Sequence, residues 1–229
     1  MRFTGLFVAC FQVALSYVFD CEGFISGDSS NSQWRQDWFI AHNLNVSGSG
    51  VFVEVGAFHP HILSNSLALE RCLGYRGLCI EPNPENHEQF RRERTCEFVN
   101  HCVWSERKFL NLQLTGDPIE ASLVPDLPSP SGDHSLRVEC ISLLDALEMA
   151  AAKFNTTTID VLLLDAEGSE LEILKNFRSA VDRFNIRLVI VEVSKIGGST
   201  QLQRIFFENQ FHKVAVLGGD WVFANARPL

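Results

Sequence analysis

Residues 51–90 read VFVEVGAFHPHILSNSLALERCLGYRGLCIEPNPENHEQF and repeat one pattern, an apolar run followed by an amphipathic stretch. The apolar runs Val51 to Val55 and Gly77 to Ile80 are typical of strands that are buried on both faces. The amphipathic stretches lie near Ser64 to Leu73 and Pro84 to Arg94 and predict helices. This alternation predicts parallel strands that are joined by helices.

The same alternation continues on both sides of this segment. Apolar runs predict strands over Glu97 to Val103, Val161 to Leu164 and Leu188 to Val193, and amphipathic stretches predict helices near Gln33 to His42, Ser142 to Ala152, Ser169 to Phe177 and Thr200 to Gln210. The closing segment HKVAVLGGDWVFAN predicts a hairpin that turns at Gly218-Gly219-Asp220, and the polar stretch from Leu114 to His134 predicts a long loop. The predicted fold class is α/β, a doubly wound sandwich of about seven mostly parallel strands with an antiparallel carboxyl-terminal hairpin.

The composition excludes several classes of protein. The 229 residues, with a mass of 25.7 kDa, have room for one α/β domain of ordinary size. The net charge of −9 and the pI near 5.2 argue against a nucleic-acid partner, because phosphate backbones require a basic surface. No apolar run reaches the roughly 18 residues of a membrane span, which excludes a multi-span membrane protein.

The amino terminus predicts entry into the secretory pathway. It carries Arg2, an apolar stretch from Gly5 to Phe19, and small residues at Ala14-Leu15-Ser16, as a cleaved signal peptide does. A type II signal-anchor, which would associate the chain with a membrane, and a buried helix of the domain are the alternatives. The predicted division is a signal or anchor over 1–19, a linker and arm over 20–47, and one domain over 48–229.

Glycosylation sequons and cysteines favour the same compartment. Asn45-Val46-Ser47 and Asn155-Thr156-Thr157 are sequons in polar stretches. Of the seven cysteines, Cys10 would leave with the signal, and the even number that remains is compatible with disulfides in an oxidising lumen. Cys72 and Cys96 are predicted to lie at one edge of the sheet and to pair. No cysteine or histidine has metal-ligand spacing, so no metal site is expected.

Candidate ligand-binding residues lie where the first two predicted strands end, because open parallel sheets bind ligands beyond the carboxyl ends of their strands. Glu54 and Gly56 end the first strand, and Glu81 ends the second. A carboxylate at Glu81 can accept hydrogen bonds from both hydroxyls of a ribose, or it can cap the helix that begins at Pro84. Because no G-x-G-x-x-G motif follows Glu54, the pattern disfavours NAD(P) and favours S-adenosylmethionine, which is cationic and has no phosphate.

Five segments together resemble the FkbM-family domain of S-adenosylmethionine-dependent methyltransferases, and they occur in order from Ser32 to Asn225. They are SQWRQDWFIAHN, the segment 51–90 quoted above, IDVLLLDAEGSELEILKNF, VIVEVS and LGGDWVFAN. The resemblance is greatest to the animal branch that includes the Star protein of insects, whose members lie behind an amino-terminal membrane segment. It implies a Rossmann-like class I methyltransferase fold, a three-layer sandwich, over the predicted domain 48–229.

The resemblance also implies roles for particular residues. Glu54, Gly56, Glu81 and Asn83 would hold the cofactor, Gln36 and Asp37 would close over it, and Asn100 and Val103 would lie near the adenine. Asp165, Glu167 and Gly168 would face the transferred methyl group.

Methyl transfer needs an aligned acceptor and a group that removes the acceptor's proton. Asp165 or Glu167 is the candidate base, because two carboxylates close together raise one pKa, and His59 and His61 are alternatives. A carboxylate at Glu167 can instead cap the helix that starts at Ser169. By analogy with the family, the expected acceptor is a small molecule or saccharide that carries a hydroxyl group.

One departure from the family pattern concerns His59 and Pro60, where relatives carry Asp-Gly. Proline lacks an amide N–H for the cofactor's carboxylate, and His59 replaces a carboxylate that would meet the cofactor's amino group. The alternative function is therefore a degenerate, Star-like fold that acts as a binding or trafficking module for protein cargo in the secretory pathway.

Overall fold

The structure is a computed structural model that describes residues 19–44, 49–114, 121–124, 135–197 and 199–226. The predicted leader with Cys10, the sequon at Asn45 and most of the polar stretch between Leu114 and His134 lie outside the described residues. In the part of the chain that is described, no helix is both long and apolar enough to cross a membrane.

Strands and helices follow the predicted alternation over most of the chain. In chain order the described strands are β1 (Val51–Val55), β2 (Arg76–Ile80), β3 (Glu97–Val99), β4 (Cys102–Trp104), β5 (Lys108–Leu114), β6 (Ala121–Val124), β7 (Ser135–Ser142), β8 (Thr158–Leu164), β9 (Asn185–Glu192), β10 (Phe211–Leu217) and β11 (Asp220–Asn225). The described α-helices are α1 (Cys21–Ser26), α2 (Gln36–Asn43), α3 (Leu67–Leu73), α4 (His87–Glu93), α5 (Leu143–Phe154), α6 (Glu170–Ile173), α7 (Phe177–Val181) and α8 (Ser199–Glu208). Short 3₁₀ turns, Pro84–Asn86 and Leu174–Asn176, precede α4 and follow α6.

The main sheet has seven strands in the order β10-β11-β9-β8-β1-β2-β3. All neighbouring strands from β9 to β3 are parallel, while β11 is antiparallel to both β9 and β10. The predicted α/β fold with a mostly parallel sheet and an antiparallel carboxyl-terminal hairpin is therefore confirmed. The strand order reverses between β1 and β8, which is the topological switch point of a doubly wound sheet.

Side chains of β1 alternate between two apolar layers, so the sheet is covered on both faces. Val53 and Val55 belong to a cluster that includes residues of α5, α7 and α8, whereas Phe52 belongs to a cluster with residues of α2, α3 and α4. All five residues of β1 are buried. This explains why β1 is an uninterrupted apolar run apart from Glu54.

A second sheet, in the order β4-β7-β5-β6, corrects two predictions. The run predicted as one strand over Glu97 to Val103 divides into β3 in the main sheet and β4 in the second sheet. Part of the stretch predicted as a loop forms β6, which pairs with β5. In β5 the buried Leu110 and Leu112 alternate with more exposed residues, the pattern of a strand with only one buried face.

The amino-terminal arm packs on the domain. Phe24 of α1 and Ile40 of α2 are fully buried, and Asp20 caps α1 by accepting a hydrogen bond from the amide of Gly23. Residues that composition alone suggested as a linker are thus folded against α3, which contacts both α1 and α2.

Three disulfides join the six described cysteines, and they contradict the predicted pair of Cys72 with Cys96. The pairs are Cys21–Cys72, Cys79–Cys96 and Cys102–Cys140, with Cα–Cα distances of 5.3, 6.0 and 4.2 Å. Cys72 instead meets Cys21 because α1 lies beside α3, and Cys96 meets Cys79 because β2 and β3 are neighbouring strands.

Candidate active site

A cavity of 310 Å³ opens beyond the carboxyl ends of β1, β2, β8 and β9. This is the switch point, where doubly wound sheets bind their ligands, and the volume is within the range of small-molecule sites. The second sheet forms one wall of the cavity through Leu112, Ala121 and Leu123. The cavity therefore lies between the two sheets.

Acidic side chains dominate the lining. Five carboxyl groups line the cavity, namely Glu54, Glu81, Asp165, Glu167 and Glu192. Among the described residues, Lys195 is the one lysine or arginine in the lining. A cavity of this charge disfavours a pyrophosphate and favours a ligand with positive charge.

Gly56 lets the ends of β1 and β8 approach each other. It has a φ of +79°, and a Cβ atom at this position would lie 1.7 Å from the carbonyl oxygen of Asp165. The amides of Gly56 and Ala57 both donate to the carbonyl of Ile80, at 3.0 and 3.1 Å. Only glycine fits this turn, because both the backbone conformation and the space exclude a side chain.

Glu54 is buried beneath the cavity and is fixed by the residues that begin α3. Its Oε1 accepts a hydrogen bond from the amide of Asn65 at 3.0 Å, and its Oε2 accepts one from Ser66 Oγ at 2.5 Å. Burial raises the pKa of Glu54, while the nearby charge of Arg94 acts in the opposite direction.

Arg94 supports this arrangement from below, a role that the sequence did not predict. Its side chain is fully buried and pairs with Glu70, with 3.1 Å between Nε and Oε2. Nη2 donates to Ser66 Oγ at 2.8 Å, and Ser66 in turn donates to Glu54. A chain of polar contacts therefore runs from Glu70 through Arg94 and Ser66 to Glu54.

Glu81 lies at the end of β2 with both carboxyl oxygens oriented by backbone amides. Oε2 accepts from the amide of Phe58 at 2.8 Å and Oε1 from the amide of Asn83 at 2.7 Å. Burial raises its pKa to about 7. The cap of the turn that begins at Pro84 is the side chain of Asn83, which accepts from the amide of Glu85 at 3.2 Å, so Glu81 is not used as that cap.

Asp165 follows β8 and is surrounded by other acids. Burial raises its pKa well above the usual range, and the carboxyl groups of Glu192, Asp220 and Glu167 raise it further. A carboxyl group in this environment exchanges a proton closer to neutral pH than an exposed aspartate does.

Glu167 has a φ of +55° and forms an ion pair with Lys195 across the cavity lining. The amides of the loop before α6 are bound by Glu170, whose Oε1 accepts from Ala166 at 2.7 Å and from Gly168 at 3.4 Å. Glu170, which the sequence did not single out, therefore binds this loop. Among the described residues no side chain makes the cap hydrogen bond at Ser169, the N-cap of α6, so the helix-capping alternative for Glu167 is not observed.

Several predicted site residues do not line the cavity. Gln36 donates to Asp220 Oδ2 at 2.6 Å, and Asp37 accepts hydrogen bonds from the hydroxyls of Ser30 and Ser32 at 2.5 and 2.6 Å. Both side chains are buried in contacts that fasten the amino-terminal arm. Asn100 is exposed and outside the lining, whereas Val103, which was predicted to lie near the adenine with it, and Asn83, which was predicted to hold the cofactor, are part of the lining.

His59 and Pro60 also lie outside the lining. His59 Nδ1 accepts hydrogen bonds from the amides of His61 and Ile62, both at 3.0 Å, which is the role an aspartate carboxylate has in such a turn. Burial lowers the pKa of His59, consistent with a neutral ring whose Nδ1 is an acceptor. The carbonyl of Pro60 accepts from Arg94 Nη1 at 3.1 Å.

Six polar or charged residues of the described lining were not predicted, and they are Gln33, Asn65, His101, Glu192, Ser194 and Lys195. For Glu192 the sequence contained an indication of this role, because the residue ends β9, the strand next to β8 in the sheet. Three buried atoms of this set have no hydrogen-bond partner within the described residues, namely Asn65 Oδ1, His101 Nδ1 and Glu192 Oε2. Buried polar atoms in proteins are nearly always satisfied, so these three atoms are candidate contacts for a polar ligand in the cavity.

These features fit S-adenosylmethionine. Acidic walls suit the positive charge of its sulfonium and amino groups, Glu81 suits its ribose, and the three unpartnered atoms suit its polar groups. No group of three or more histidine, cysteine or acidic side chains that could hold a metal ion occurs in the described part of the chain.

Comparison with a known protein family agrees with the site. The sequence model of the methyltransferase FkbM domain matches residues 54–217. Among solved structures, a precorrin-6y C5,15-methyltransferase from Geobacter metallireducens GS-15 is similar at a TM-score of 0.44 and 10% identity, over 85% of this chain and 89% of that chain. No curated protein sequence matches the chain.

Proposed function

The chain belongs to the methyltransferase FkbM domain family, and we propose that it transfers a methyl group from S-adenosylmethionine to a hydroxyl group of a small molecule or saccharide. The observation that carries this proposal is the acidic cavity at the switch point, with Glu81 at the end of β2. When bound, the cofactor supplies an electrophilic methyl group on a cationic sulfur. The hydroxyl and saccharide nature of the acceptor rests on analogy with the family.

The residues of the chain divide the cavity into regions. Glu81, held by two backbone amides, has carboxyl lone pairs left for the hydroxyls of a ribose. Val103 in β4 and His101 just before it also line the cavity and offer a surface for the adenine. Asp165 follows β8 and Glu192 ends β9, and the region of the cavity around these two strands is left for the methyl group and the acceptor.

Asp165 is the better candidate for the base. Its raised pKa makes it able to take a proton from a hydroxyl near neutral pH, which is the condition for efficient general-base catalysis. Glu167 is already paired with Lys195, and His59 uses Nδ1 to bind two backbone amides outside the cavity lining. Neither is as well placed as Asp165 to receive the proton.

Calorimetry with S-adenosylmethionine and S-adenosylhomocysteine tests the proposal. Wild type should bind both, and Glu81→Ala should abolish binding because the ribose contacts are lost. Glu88→Ala is the matched control, because Glu88 lies on the adjacent α4, outside the cavity lining, and should leave affinity unchanged.

The alternative, a degenerate Star-like binding or trafficking module, predicts no heat with wild type. The double variant His59→Asp with Pro60→Gly then separates two cases. Restored affinity would mean that these two residues emptied a cofactor site, and absent affinity in both proteins would refute the methyltransferase proposal.

We also propose that the domain lies in the secretory pathway, lumenal or secreted. Three disulfides support this location, because disulfides persist in oxidising compartments. Asn155 of the second sequon is exposed at the end of α5, so it is accessible to glycosylation. Glycosidase treatment of the expressed protein should increase its mobility, and an unchanged mobility with a cytosolic fraction would contradict this location.

A further inference from the structure

Asn65 is a residue of the cavity whose side chain has no assigned purpose in the fold. The residue is 7% exposed, and its Oδ1 has no hydrogen-bond partner within the described residues. Its backbone amide donates to Glu54 Oε1, and the next residue, Ser66, binds Glu54 Oε2. Asn65 is therefore held rigidly beside Glu54. Its buried acceptor, Oδ1, has no hydrogen-bond partner among the described residues when no ligand is bound.

The location of Asn65 determines which part of a ligand it can meet. In the proposed function Glu81 at the end of β2 binds the ribose, and Val103 of β4 lies on the side where the base would be. The other arm of the ligand must then extend over β1 towards β8. Asn65 belongs to the connection that follows β1, so it lies on the side of this second arm.

The backbone of the turn after β1 has few groups left for that arm. The amides of Gly56 and Ala57 donate to Ile80, and the amide of Phe58 donates to Glu81. Pro60 has no amide N–H. These amides are therefore not available to the carboxylate of the amino-acid arm, and the α-amino group, which is a donor, needs an acceptor such as a side-chain oxygen.

We propose that Asn65 is a specificity residue that binds the α-amino group of the cofactor's amino-acid arm through Oδ1. The inference rests on the proposed function. It adds an explanation of how this chain, which has His59 in place of an aspartate, recognises the α-amino group. An ammonium group donates three hydrogen bonds, and the Asn65 carbonyl beside the Glu54 carboxylate is a suitable acceptor.

Two ligands that differ only in this arm provide the test. S-adenosylhomocysteine carries the amino-acid arm, and 5′-methylthioadenosine has the same adenosine and thioether without it. Calorimetry on Asn65→Ala should show affinity for S-adenosylhomocysteine reduced about tenfold or more, as expected for a lost hydrogen bond to a charged group. Affinity for 5′-methylthioadenosine should stay within about twofold of wild type, and Asn65→Asp, which keeps an acceptor, should retain the preference for S-adenosylhomocysteine.

Asn209→Ala is the matched control. Asn209 is 6% exposed and also has a buried, unpartnered Oδ1 within the described residues, but it follows α8 and is not part of the cavity lining. This variant should bind both ligands as wild type does. If Asn65→Ala does not fold, as judged by thermal unfolding, Asn65→Ser removes the same reach and is measured in its place.

The outcomes separate the inference from the proposed function. Equal weakening of both ligands by Asn65→Ala, or no weakening of either, would overturn the role of Asn65 and leave the methyltransferase proposal intact. A wild-type protein that binds neither ligand would overturn both.

Discussion

Replacing Arg94 with methionine tests whether the polar network beneath the cavity stabilises the fold. The Arg94 side chain is fully buried and donates four hydrogen bonds, to Glu70, the carbonyl of Pro60, Ser64 and Ser66. Methionine replaces the apolar stem of arginine but has no charge and no donors. The variant removes the buried counterion of Glu70, whose side chain is 2% exposed, and leaves only the longer, partly exposed contact with Arg71, at 3.8 Å between Nε and Oε1.

The expected cost follows from the loss of that buried ion pair. Breaking a buried ion pair by removing one partner typically costs about 3–5 kcal/mol, out of a total stability of roughly 5–15 kcal/mol for a domain. For a chain of this size, each kcal/mol lowers the melting temperature by about 2–4 °C, so a fall of roughly 6–20 °C is expected. Adding Glu70→Gln to Arg94→Met should recover at least about 1 kcal/mol, because the remaining charge is removed.

Thermal and urea unfolding, followed by circular dichroism with the disulfides intact, measures these effects. Arg92→Met is the control, because Arg92 is an exposed arginine of α4, two residues before Arg94, and its loss should leave the midpoint unchanged. A loss below about 1 kcal/mol for Arg94→Met, or a double variant no more stable than the single one, would refute the reasoning.

Three further predictions concern the cavity and its surroundings. Gly56→Ala should destabilise the protein far more than Gly74→Ala. Both glycines have a positive φ, but an added Cβ at Gly74 has no atom within 4 Å. Similar unfolding midpoints for the two variants would contradict the close approach of β1 and β8. Glu170→Gln should stabilise the protein by up to about 3 kcal/mol at pH 8 and change its stability little at pH 5. The reason is that the pKa of Glu170 is raised from 4.5 to about 7 in the folded protein, so wild type loses stability as pH rises through that value. An equal difference in unfolding free energy at both pH values would contradict this prediction. Asp165→Asn should keep calorimetric affinity for the cofactor and reduce methyl transfer by about 100-fold or more, and wild-type activity should rise with pH through the raised pKa of Asp165; retained activity would assign the base elsewhere.

The sequence was informative about the main sheet because its central strands are buried on both faces. Strands β1, β8 and β9 are nearly continuous apolar runs, and in a chain that alternates them with amphipathic helices such runs indicate the parallel strands of a covered sheet. The second sheet was missed for the opposite reason. Strand β5, KFLNLQL, has one buried face, and β6 lies within a polar stretch whose pairing depends on residues distant in the chain.

The part of the site that was predicted consists of residues at strand ends. Glu54, Gly56, Glu81 and Asp165 follow or end strands at the switch point, so topology alone brings them together. Asn65 and Lys195 lie in loops, where no periodicity gives an orientation. Cysteine pairing was equally unpredictable, because the meeting of Cys21 with Cys72 depends on how α1 packs on α3.

The departure at His59 and Pro60 has a different meaning in the structure than in the sequence. In the sequence, these residues remove a carboxylate and an amide from the site of the cofactor's amino-acid arm. In the structure, His59 Nδ1 binds the amides of its own turn, and the carbonyl of Pro60 binds the buried Arg94. Because Arg94 also supports Glu54 through Ser66, the substituted turn helps to hold the acidic residue next to Asn65. If the turn itself bound the amino-acid arm, the change to His59 and Pro60 would disable that binding. The change is compatible with binding of the arm by side chains that the turn supports.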